Sequence, residues 1–516
     1  MTDKNKEKTY YFSAVNADGE TIYYKITTPD TVEVTSGNNG YSGNIVIPDT
    51  VNNNGRIYTV SAIGKCAFGH CDDLTSVSIG NLLTSIGERA FIGCIALTLI
   101  TVDVNNTTYS SKDGILFDKN QTSLIHYPAG KTGGYAIPNS VTSIGEYAFA
   151  YCSGLMSISI THSVTFIGES AFVGCRGLTS INIPNSVTSI GESAFSGCDG
   201  LTSLSIPNSV TSIGESAFYL CSSLTSISVD VNNTEYSSKD GVLFNKNQTR
   251  LIYCFADKTG NYTIPASVTA IEKYAFDSYS GLISISVDEN NTEYSSKDGV
   301  LFNKDQTKLL YYPVAKKGSY TIPNSVTSIG DGAFDSCSGL TSVSIGNSVT
   351  SIGDGAFDSC SGLTTISIPN SVTSIRRNTF CECSGLTSVS IGNSVSFIGD
   401  SAFEYCNSLM SIAIPNSVMS IGTHAFWCCE DLTSITIGNS VTNIGKWAFC
   451  GCSGLTKIYV KTKNPPLLDC FTFTNDVDKS IPVYVPAGSV DNYREADGWN
   501  EFTNIIEEDA PDTFFE

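Results

Sequence analysis

The chain of 516 residues is 41% hydrophobic and carries a formal net charge of -21. This much apolar material is enough for a continuous core. The acidic balance argues against nucleic acid and anionic membrane surfaces as partners, because like charges repel. No apolar run reaches the roughly 18 residues that a membrane-spanning helix needs, so we expect no membrane insertion.

Residues 1–56 are predicted to form an N-terminal β cap and a first coil. Alternating apolar residues on both sides of residues 16–19 indicate a β-hairpin. The first residues include lysines but no apolar core of a secretory signal. We therefore expect no signal peptide in this chain, and a cytoplasmic location remains open.

Residues 57–460 contain thirteen Phe residues at regular intervals. The steps are 23 residues, apart from three steps of 58 that each contain an insertion of 35. A fixed period of this length is typical of a solenoid, in which stacked units share one core. The anchors are Phe68, Phe91, Phe149, Phe172, Phe195, Phe218, Phe276, Phe334, Phe357, Phe380, Phe403, Phe426 and Phe449.

Residues 201–221 illustrate one repeat. The alternation of apolar and polar residues over 201–206 predicts a short strand, with Ser203 and Ser205 pointing away from the core. A turn follows at a Pro-Asn-Ser sequence. Residues 215–218 then read as one short helical turn with an acid at its start. In-register stacking of such units would place the strands about 4.8 Å apart.

The three insertions share one pattern. In the second, two apolar runs flank Asn245-Lys-Asn-Gln-Thr249, which predicts a β-hairpin projecting from an enlarged coil. Insertions on one face of a solenoid often serve binding. The hairpin tip, with Asn245, Lys246 and Asn247, is therefore a candidate contact site. The insertions lie near residues 103–138, 230–265 and 288–323.

Residues 461–516 are predicted to form a C-terminal cap. Residues 481–485 read as a final strand, and Ser489 as the start of a short helix that ends near Gly498. Trp499 and Phe502 would then cover the last coil. Distinct capping ends are what a solenoid requires, because its terminal cores would otherwise face water.

A Cys follows the repeating Phe by three residues in twelve of the thirteen units, Tyr279 being the exception. Stacked Cys residues would have Cβ atoms about 4.8 Å apart, whereas a disulfide prefers about 3.8 Å. We therefore expect mostly buried, reduced thiols, and disulfides between coils are the alternative. Pairs such as Cys381 and Cys383 lack the four convergent ligands of a zinc site, so we expect no metal and no cofactor.

Three other features allow a functional interpretation beside a plain structural one. The acids that follow Ile-Gly in many repeats could bind cations, but they suit turn starts on a solvated face. The stretches 230–240 and 288–298 could hold calcium, yet Asp and Asn are also ordinary turn residues. The four histidines have no metal-binding spacing. No phosphate-binding loop or nucleophile motif is present, so we expect no enzymatic activity.

The motif LxxIxIPxxVxxIGxxAFxxC, clearest in residues 178–198, resembles the BspA-like leucine-rich repeat family. The resemblance covers nearly the whole chain. It implies an α/β solenoid: a right-handed leucine-rich-repeat stack with a parallel sheet on the concave face, short helical turns on the convex face and β-rich caps. Counting the strands predicts about 17 coils. The family resemblance also implies a surface or secreted protein that binds host-matrix proteins, plasma proteins or other cells.

We therefore predict a monomeric, non-enzymatic protein-binding module: a surface or secreted adhesin that contacts an extracellular-matrix or plasma protein through its extended face. An intracellular structural scaffold and a glycan-binding surface are the alternatives; aromatic clusters would favour the latter. The strand face and the hairpin tip are the predicted sites. The residues are Ser203, Ser205, Ser226, Ser228, Ser342, Ser344, Asn245, Lys246 and Asn247.

Overall fold

A computed structural model of the chain gives the positions of five segments. Their described residues belong to two compact units, one drawn from Met1–Asp257 and Ala270–Tyr279 and the other from Lys258–Thr269 and Ser280–Glu516. Tyr279, the exception in the Cys pattern, lies outside the described residues. The structure describes residues 11–37, 40–254, 260–276, 281–474 and 476–508.

The N-terminal residues form a small mixed sheet. The predicted hairpin is present, because the first two strands are antiparallel on either side of the turn at residues 16–19. The sheet order is β1-β2-β3-β6-β5, with β3 and β6 parallel, and β4 pairs with the first repeat strand instead. The strands are β1 (Tyr11–Val15), β2 (Thr21–Thr28), β3 (Thr31–Val34), β4 (Gly43–Ile47), β5 (Thr50–Asn53) and β6 (Arg56–Ile63).

A regular coil of the repeat region contributes one longer strand and, after a turn, one strand of two residues. The strands of the first part are β7 (Leu74–Ile79), β8 (Ser85–Ile86), β9 (Leu99–Val102), β10 (Tyr109–Lys112), β11 (Ile115–Asp118), β12 (Ser123–His126), β13 (Gly133–Ala136), β14 (Ser143–Ile144), β15 (Leu155–Ser159), β16 (Phe166–Ile167), β17 (Ser180–Asn182), β18 (Ser189–Ile190), β19 (Ser203–Ile206), β20 (Ser212–Ile213), β21 (Ser226–Val229), β22 (Tyr236–Lys239), β23 (Val242–Asn245), β24 (Arg250–Tyr253), β25 (Gly260–Ile264) and β26 (Ala270–Ile271).

The same alternation continues to the end of the repeats. The strands are β27 (Leu282–Val287), β28 (Tyr294–Lys297), β29 (Val300–Asn303), β30 (Lys308–Tyr311), β31 (Gly318–Thr321), β32 (Ser328–Ile329), β33 (Leu340–Ser344), β34 (Ser351–Ile352), β35 (Thr365–Ile368), β36 (Ser374–Ile375), β37 (Ser388–Ile391), β38 (Phe397–Ile398), β39 (Ser411–Ala413), β40 (Ser420–Ile421), β41 (Ser434–Ile437), β42 (Asn443–Ile444), β43 (Lys457–Val460), β44 (Leu467–Leu468), β45 (Pro482–Pro486) and β46 (Asn504–Glu508).

Both kinds of strand stack in parallel at the predicted register. In the first unit β13-β15-β17 and β19-β21 form the longer-strand sheets, and β12-β14-β16-β18-β20 form the short-strand sheet. Ser203 pairs with Ser226 and Leu204 with Ile227, which are 23 residues apart. The fold is therefore a solenoid of stacked parallel strands. Its handedness and the count of about 17 coils stay predictions.

Stacking places identical apolar residues on top of one another. Phe149, Phe172 and Phe195 are fully buried, and their rings lie parallel with centroids 4.9 and 5.2 Å apart. Gly191 allows neighbouring coils to approach closely, since a Cβ there would lie 2.5 Å from the backbone nitrogen of Glu169. A side chain at that position would push the coils apart.

The segments predicted as short helical turns are hydrogen-bonded turns instead. Ser216 has a φ of +55°, and a left-handed residue interrupts a right-handed helix. The predicted helical turns are therefore not confirmed. Helix in the described part of the chain is confined to the C-terminal cap, with α1 (Val490–Glu495) and a 3₁₀ helix at Trp499–Glu501.

The C-terminal cap closes the core of the second unit. Trp499 and Phe502 are buried on it, as predicted, and the Trp499 indole donates to Pro466 O at 2.9 Å. Ser489 precedes α1, but its side chain does not cap the helix; its hydroxyl donates back to Pro486 O. The predicted helix forms, without the predicted side-chain cap.

The insertions are more tightly integrated than predicted. The predicted hairpin forms, since β23 and β24 pair antiparallel, but β22 adds a third strand and β24 pairs in parallel with β26 of the next coil. Val242, Leu243 and Phe244 are buried. The strands of the insertion therefore continue the solenoid core, and the projection of the hairpin tip stays a prediction.

Candidate functional site

The predicted strand-face residues of the first unit lie together. Ser203 pairs with Ser226 and Ser205 with Ser228 on adjacent parallel strands. Ser203, Ser205 and Ser228 are exposed and Ser226 is half-buried, while Leu204 between them is buried. These four residues form the hydroxyl patch of the first unit. Strand alternation explains the patch, because every second side chain points to water.

Neighbouring strands extend the polar surface. Ser157 and Ser159 of β15 pair with Ser180 and Asn182 of β17, and all four are exposed. None of these side chains carries a charge. This part of the first unit thus presents a flat array of hydroxyl and amide groups.

The corresponding predicted residues of the second unit occupy equivalent positions. Ser342 pairs with Thr365 of β35 and with Ser319 of β31, and Ser344 pairs with Thr321. Ser344 is exposed and Ser342 is half-buried. The second unit therefore has its own hydroxyl patch.

Two of the three predicted hairpin-tip residues bind their own insertion. The Asn245 side-chain oxygen accepts from the backbone nitrogens of Thr249 and Arg250, both at 2.9 Å. Lys246 Nζ donates to Val231 O at 3.1 Å and to Asn233 O. Asn247 between them is exposed. Asn245 and Lys246 thus stabilise the loop, and both Lys246 and Asn247 are exposed to solvent.

The Asp- and Asn-rich stretch at 230–240 is built around a buried amide. Asn233 donates to Pro207 O and Val210 O at 2.8 and 2.9 Å, and its side-chain oxygen accepts from two backbone nitrogens. These hydrogen bonds favour the interpretation of residues 230–240 as an ordinary turn over that of a calcium site. Within the described segments, no three His, Cys, Asp or Glu side chains converge on a possible metal site.

The Cys column is buried, as expected, and makes hydrogen bonds that the sequence did not reveal. Cys175 Sγ donates to Phe149 O at 3.0 Å and Cys198 Sγ to Phe172 O at 3.2 Å. Burial raises the pKa of the Cys221 thiol to about 12. The protonated thiol therefore acts as a donor between coils. The reduced state of the column stays a prediction.

One group that the sequence reading missed is an aromatic cluster on the turns of the second unit. His424 stacks on Trp447 with centroids 5.0 Å apart, and Trp447 stacks on Phe471 at 6.0 Å. Trp427 contacts His424 and Tyr405. Phe471 is 61% exposed. His424 and Trp447 are 23 residues apart, which is the repeat period, so the sequence alone could have predicted that they stack.

The stacked parallel strands define a solenoid, the class of repeat proteins to which leucine-rich repeats belong. The sequence matches the family model of the BspA type leucine-rich repeat region over residues 45–130, 131–249, 242–298, 307–407 and 373–475. The chain therefore belongs to the BspA-type leucine-rich repeat family. None of the curated proteins matches it. In the described part of the chain, no helix has the length and apolarity that crossing a membrane requires.

Several solved structures are similar. A leucine-rich cell surface protein from Faecalibacterium prausnitzii is 27% identical, with 87% of this chain and 94% of that chain covered and a TM-score of 0.38. A leucine-rich repeat protein from Eubacterium ventriosum is 26% identical, with 86% and 95% covered and a TM-score of 0.41. The pneumococcal vaccine antigen PcpA is 17% identical, with 97% and 99% covered and a TM-score of 0.39.

Proposed function

We propose that this chain is a non-enzymatic protein-binding module, a surface or secreted adhesin whose partner is an extracellular-matrix or plasma protein. The observation that carries the proposal is the hydroxyl patch of the first unit. Ser203, Ser205, Ser226 and Ser228 stand in register on paired strands with no charge among them. Membership of the BspA-type leucine-rich repeat family supports the proposed surface location.

The chemistry of the patch suits a polar protein partner. A hydroxyl both donates and accepts a hydrogen bond, so a row of Ser side chains can follow the alternating groups of a facing backbone. Short side chains also lose little conformational entropy on binding. The exposed residues of β15 and β17 widen the surface across four adjacent strands. Asn247 at the tip of the second insertion is a further exposed polar group.

The test is capture of plasma or extracted matrix proteins by the purified chain. Ser203→Arg with Ser226→Arg places bulk and like charge across the patch, and we expect partner binding to fall at least tenfold. Thr188→Arg with Thr211→Arg is the matched control, since both are exposed hydroxyl residues directly before the short strands β18 and β20, away from the patch. Equal binding by the patch variant, the control and the parent chain would contradict the proposed site.

The aromatic cluster of the second unit favours a second candidate function, glycan binding. Sugar rings pack their C–H faces on aromatic side chains, and Trp and Tyr combine an apolar body with a polar tip. Phe471→Ala removes the exposed ring of the cluster and should abolish binding on a glycan array, while Phe397→Ala removes an exposed aromatic outside the cluster and should not. A parent chain that binds no glycan would exclude this candidate.

A further inference from the structure

A cleft lies where the first insertion interrupts the stack of turns in the first unit. One wall is the turn at residues 87–91, the other is the turn at 145–147, and Ile125 and His126 form the floor. Its volume is about 480 Å³. Both walls belong to regular repeats, whereas the floor belongs to the insertion.

The cleft exists because the insertion coil is too short to form a regular turn. Leu124 pairs with Ile144, and the Tyr127 N–H donates to Ala148 O just as the Phe149 N–H donates to Ala171 O, each at 2.7 Å. Two residues lie between Leu124 and Tyr127, but four lie between Ile144 and Phe149. The insertion coil therefore takes a shorter path between its strand and its core aromatic residue. The space that a regular turn would occupy is left open and forms the cleft.

Regular turns show what normally fills this space. The N–H groups of Ser170 and Phe172 donate to Glu192 O and Ala194 O of the next turn, at 2.8 and 2.7 Å. These donors are two residues apart, as in a β-ladder. Each regular turn thus binds the backbone of its successor.

In the walls of the cleft, the backbone groups that would bond to a neighbouring turn have no partner among the residues that the structure describes. Arg89 has the same left-handed φ as Ser170, +57° against +50°, so the N–H groups of Arg89 and Phe91 point to the place of a following turn. Neither has an acceptor in the described segments. On the opposite wall, no backbone N–H of the described chain donates to Glu146 O. These backbone groups line an open cleft, so a ligand can reach them.

His126 supplies an independent sign of a missing partner. Its side chain is only 6% exposed, it lines the cleft, and its Nε2 has no hydrogen-bond partner among the residues described. Tyr253 occupies the equivalent place in the second insertion, and its hydroxyl donates to Phe218 O. The second insertion thus satisfies this side-chain position internally, although the Ser216 and Phe218 N–H groups beside its own cleft also have no acceptor among the described residues.

We propose that the cleft of the first insertion binds a short extended peptide segment of a partner protein, which takes the place of the missing turn. Its carbonyls accept from the Arg89 and Phe91 N–H groups, and one of its N–H groups donates to Glu146 O. A hydroxyl or amide side chain of the peptide bonds to His126 Nε2. Main-chain pairing of this kind is the basis of recognition by strand addition.

Side chains at the mouth of the cleft restrict the ligand. The Arg89 guanidinium reaches across to the Tyr147 hydroxyl, which contacts Glu169 at 3.0 Å. Lys65 pairs with Glu88 at 2.8 Å, but Glu146 has no ion-pair partner among the described residues. The peptide must pass beneath the Arg89–Tyr147 contact, and a basic residue beside Glu146 is favoured by charge. The site is separate from the hydroxyl patch and does not depend on it.

A random heptapeptide phage library panned against the full chain tests the proposal. Enriched peptides, made synthetically, should bind and should slow hydrogen exchange at residues 87–92. Replacing Ile125-His126 with Gly-Glu-Ser-Ala builds the regular turn into the chain and fills the cleft, so affinity should fall at least tenfold. The same replacement at Ile252-Tyr253 fills the cleft of the second insertion and should leave the affinity unchanged; loss of binding in that variant instead would place the peptide in the second cleft and contradict the proposal.

His126→Tyr provides a variant that preserves the fold, because Tyr already occupies the equivalent position of the second insertion. We expect it to weaken binding of the enriched peptides several-fold with unchanged thermal unfolding. If no peptide distinguishes the parent chain from the filled-cleft variant, or if His126→Tyr leaves every affinity unchanged, the proposal is wrong. Arginine substitutions in the hydroxyl patch should not affect these peptides, so the two proposals fail independently.

Discussion

Regular coils and insertion coils stack on their neighbours in different ways, as the coils around Phe172 and Phe195 show beside the coil around Tyr127. In the regular coils the rings are parallel within 1°, and each turn donates to the next. At the insertion the Tyr127 ring is tilted by 29° to that of Phe149, and the bond from Cys152 Sγ to Tyr127 O lengthens to 3.5 Å. A closed hydrogen-bond ladder stabilises the repeat, whereas an interruption keeps the core and frees backbone groups for binding.

Phe195→Ala should have the largest effect, because it removes a buried ring from the middle of the regular stack. We expect about 3–5 kcal/mol of local destabilisation. Hydrogen exchange should accelerate in the coils on either side, since contacts in a solenoid are between neighbours. Thr188→Ala, at an exposed position, should change little. Loss of protection spread evenly over the first unit would contradict this.

Asn233→Ala tests what holds an insertion on the stack. It would leave two carbonyls and two N–H groups without their amide partner, so we expect a loss of about 2–3 kcal/mol. Chemical denaturation and hydrogen exchange of residues 230–253 would measure it. The neighbouring Asn232 is exposed, and Asn232→Ala should cost far less. Equal costs for the two variants would remove the argument for a buried anchor.

Cys198→Ala should cost about 1 kcal/mol, because the thiol donor to Phe172 O is lost while that carbonyl keeps its bond from the Cys175 N–H. Thiol labelling of the native chain sharpens the contrast between environments. Cys470 is exposed and should react quickly, whereas Cys175, Cys198 and Cys360 are buried and should react only after denaturation. Intact mass that shows most thiols paired would refute the reduced column.

A further expected effect is a pH dependence in the regular coils of the second unit. Burial, and then the charge of Asp335, raise the pKa of Asp358 to about 7. The folded state therefore holds this proton more tightly than the unfolded state, so its stability falls as pH rises from about 4 to about 7. We expect a midpoint a few degrees higher at pH 5 than at pH 8. Asp358→Asn should reduce that difference, and an unchanged difference would assign the effect to other groups.

Much of the repeat was predictable from single residues. Phe218 and Cys221 are buried where the period placed them, and Ser203 and Ser226 are paired at the predicted register. The helical turns were not confirmed, because the chain adopts a left-handed conformation at Ser216 that residue identity does not signal. Asn245 and Lys246 read as tip residues available to a partner, yet the Asn245 side-chain oxygen and the Lys246 ammonium already bond to the insertion itself, although Lys246 stays exposed. Local polarity does not distinguish a loop-stabilising side chain from a solvent-facing one.

The sequence by itself determined the period, the core columns and the family. Identical residues 23 positions apart must meet identical neighbours once one coil stacks on another, so a linear pattern is enough to place them. Only the tertiary structure decided which backbone and thiol groups found partners. That depends on the path of the adjacent coil, and two residues fewer between Leu124 and Tyr127 turn a closed ladder into an open cleft.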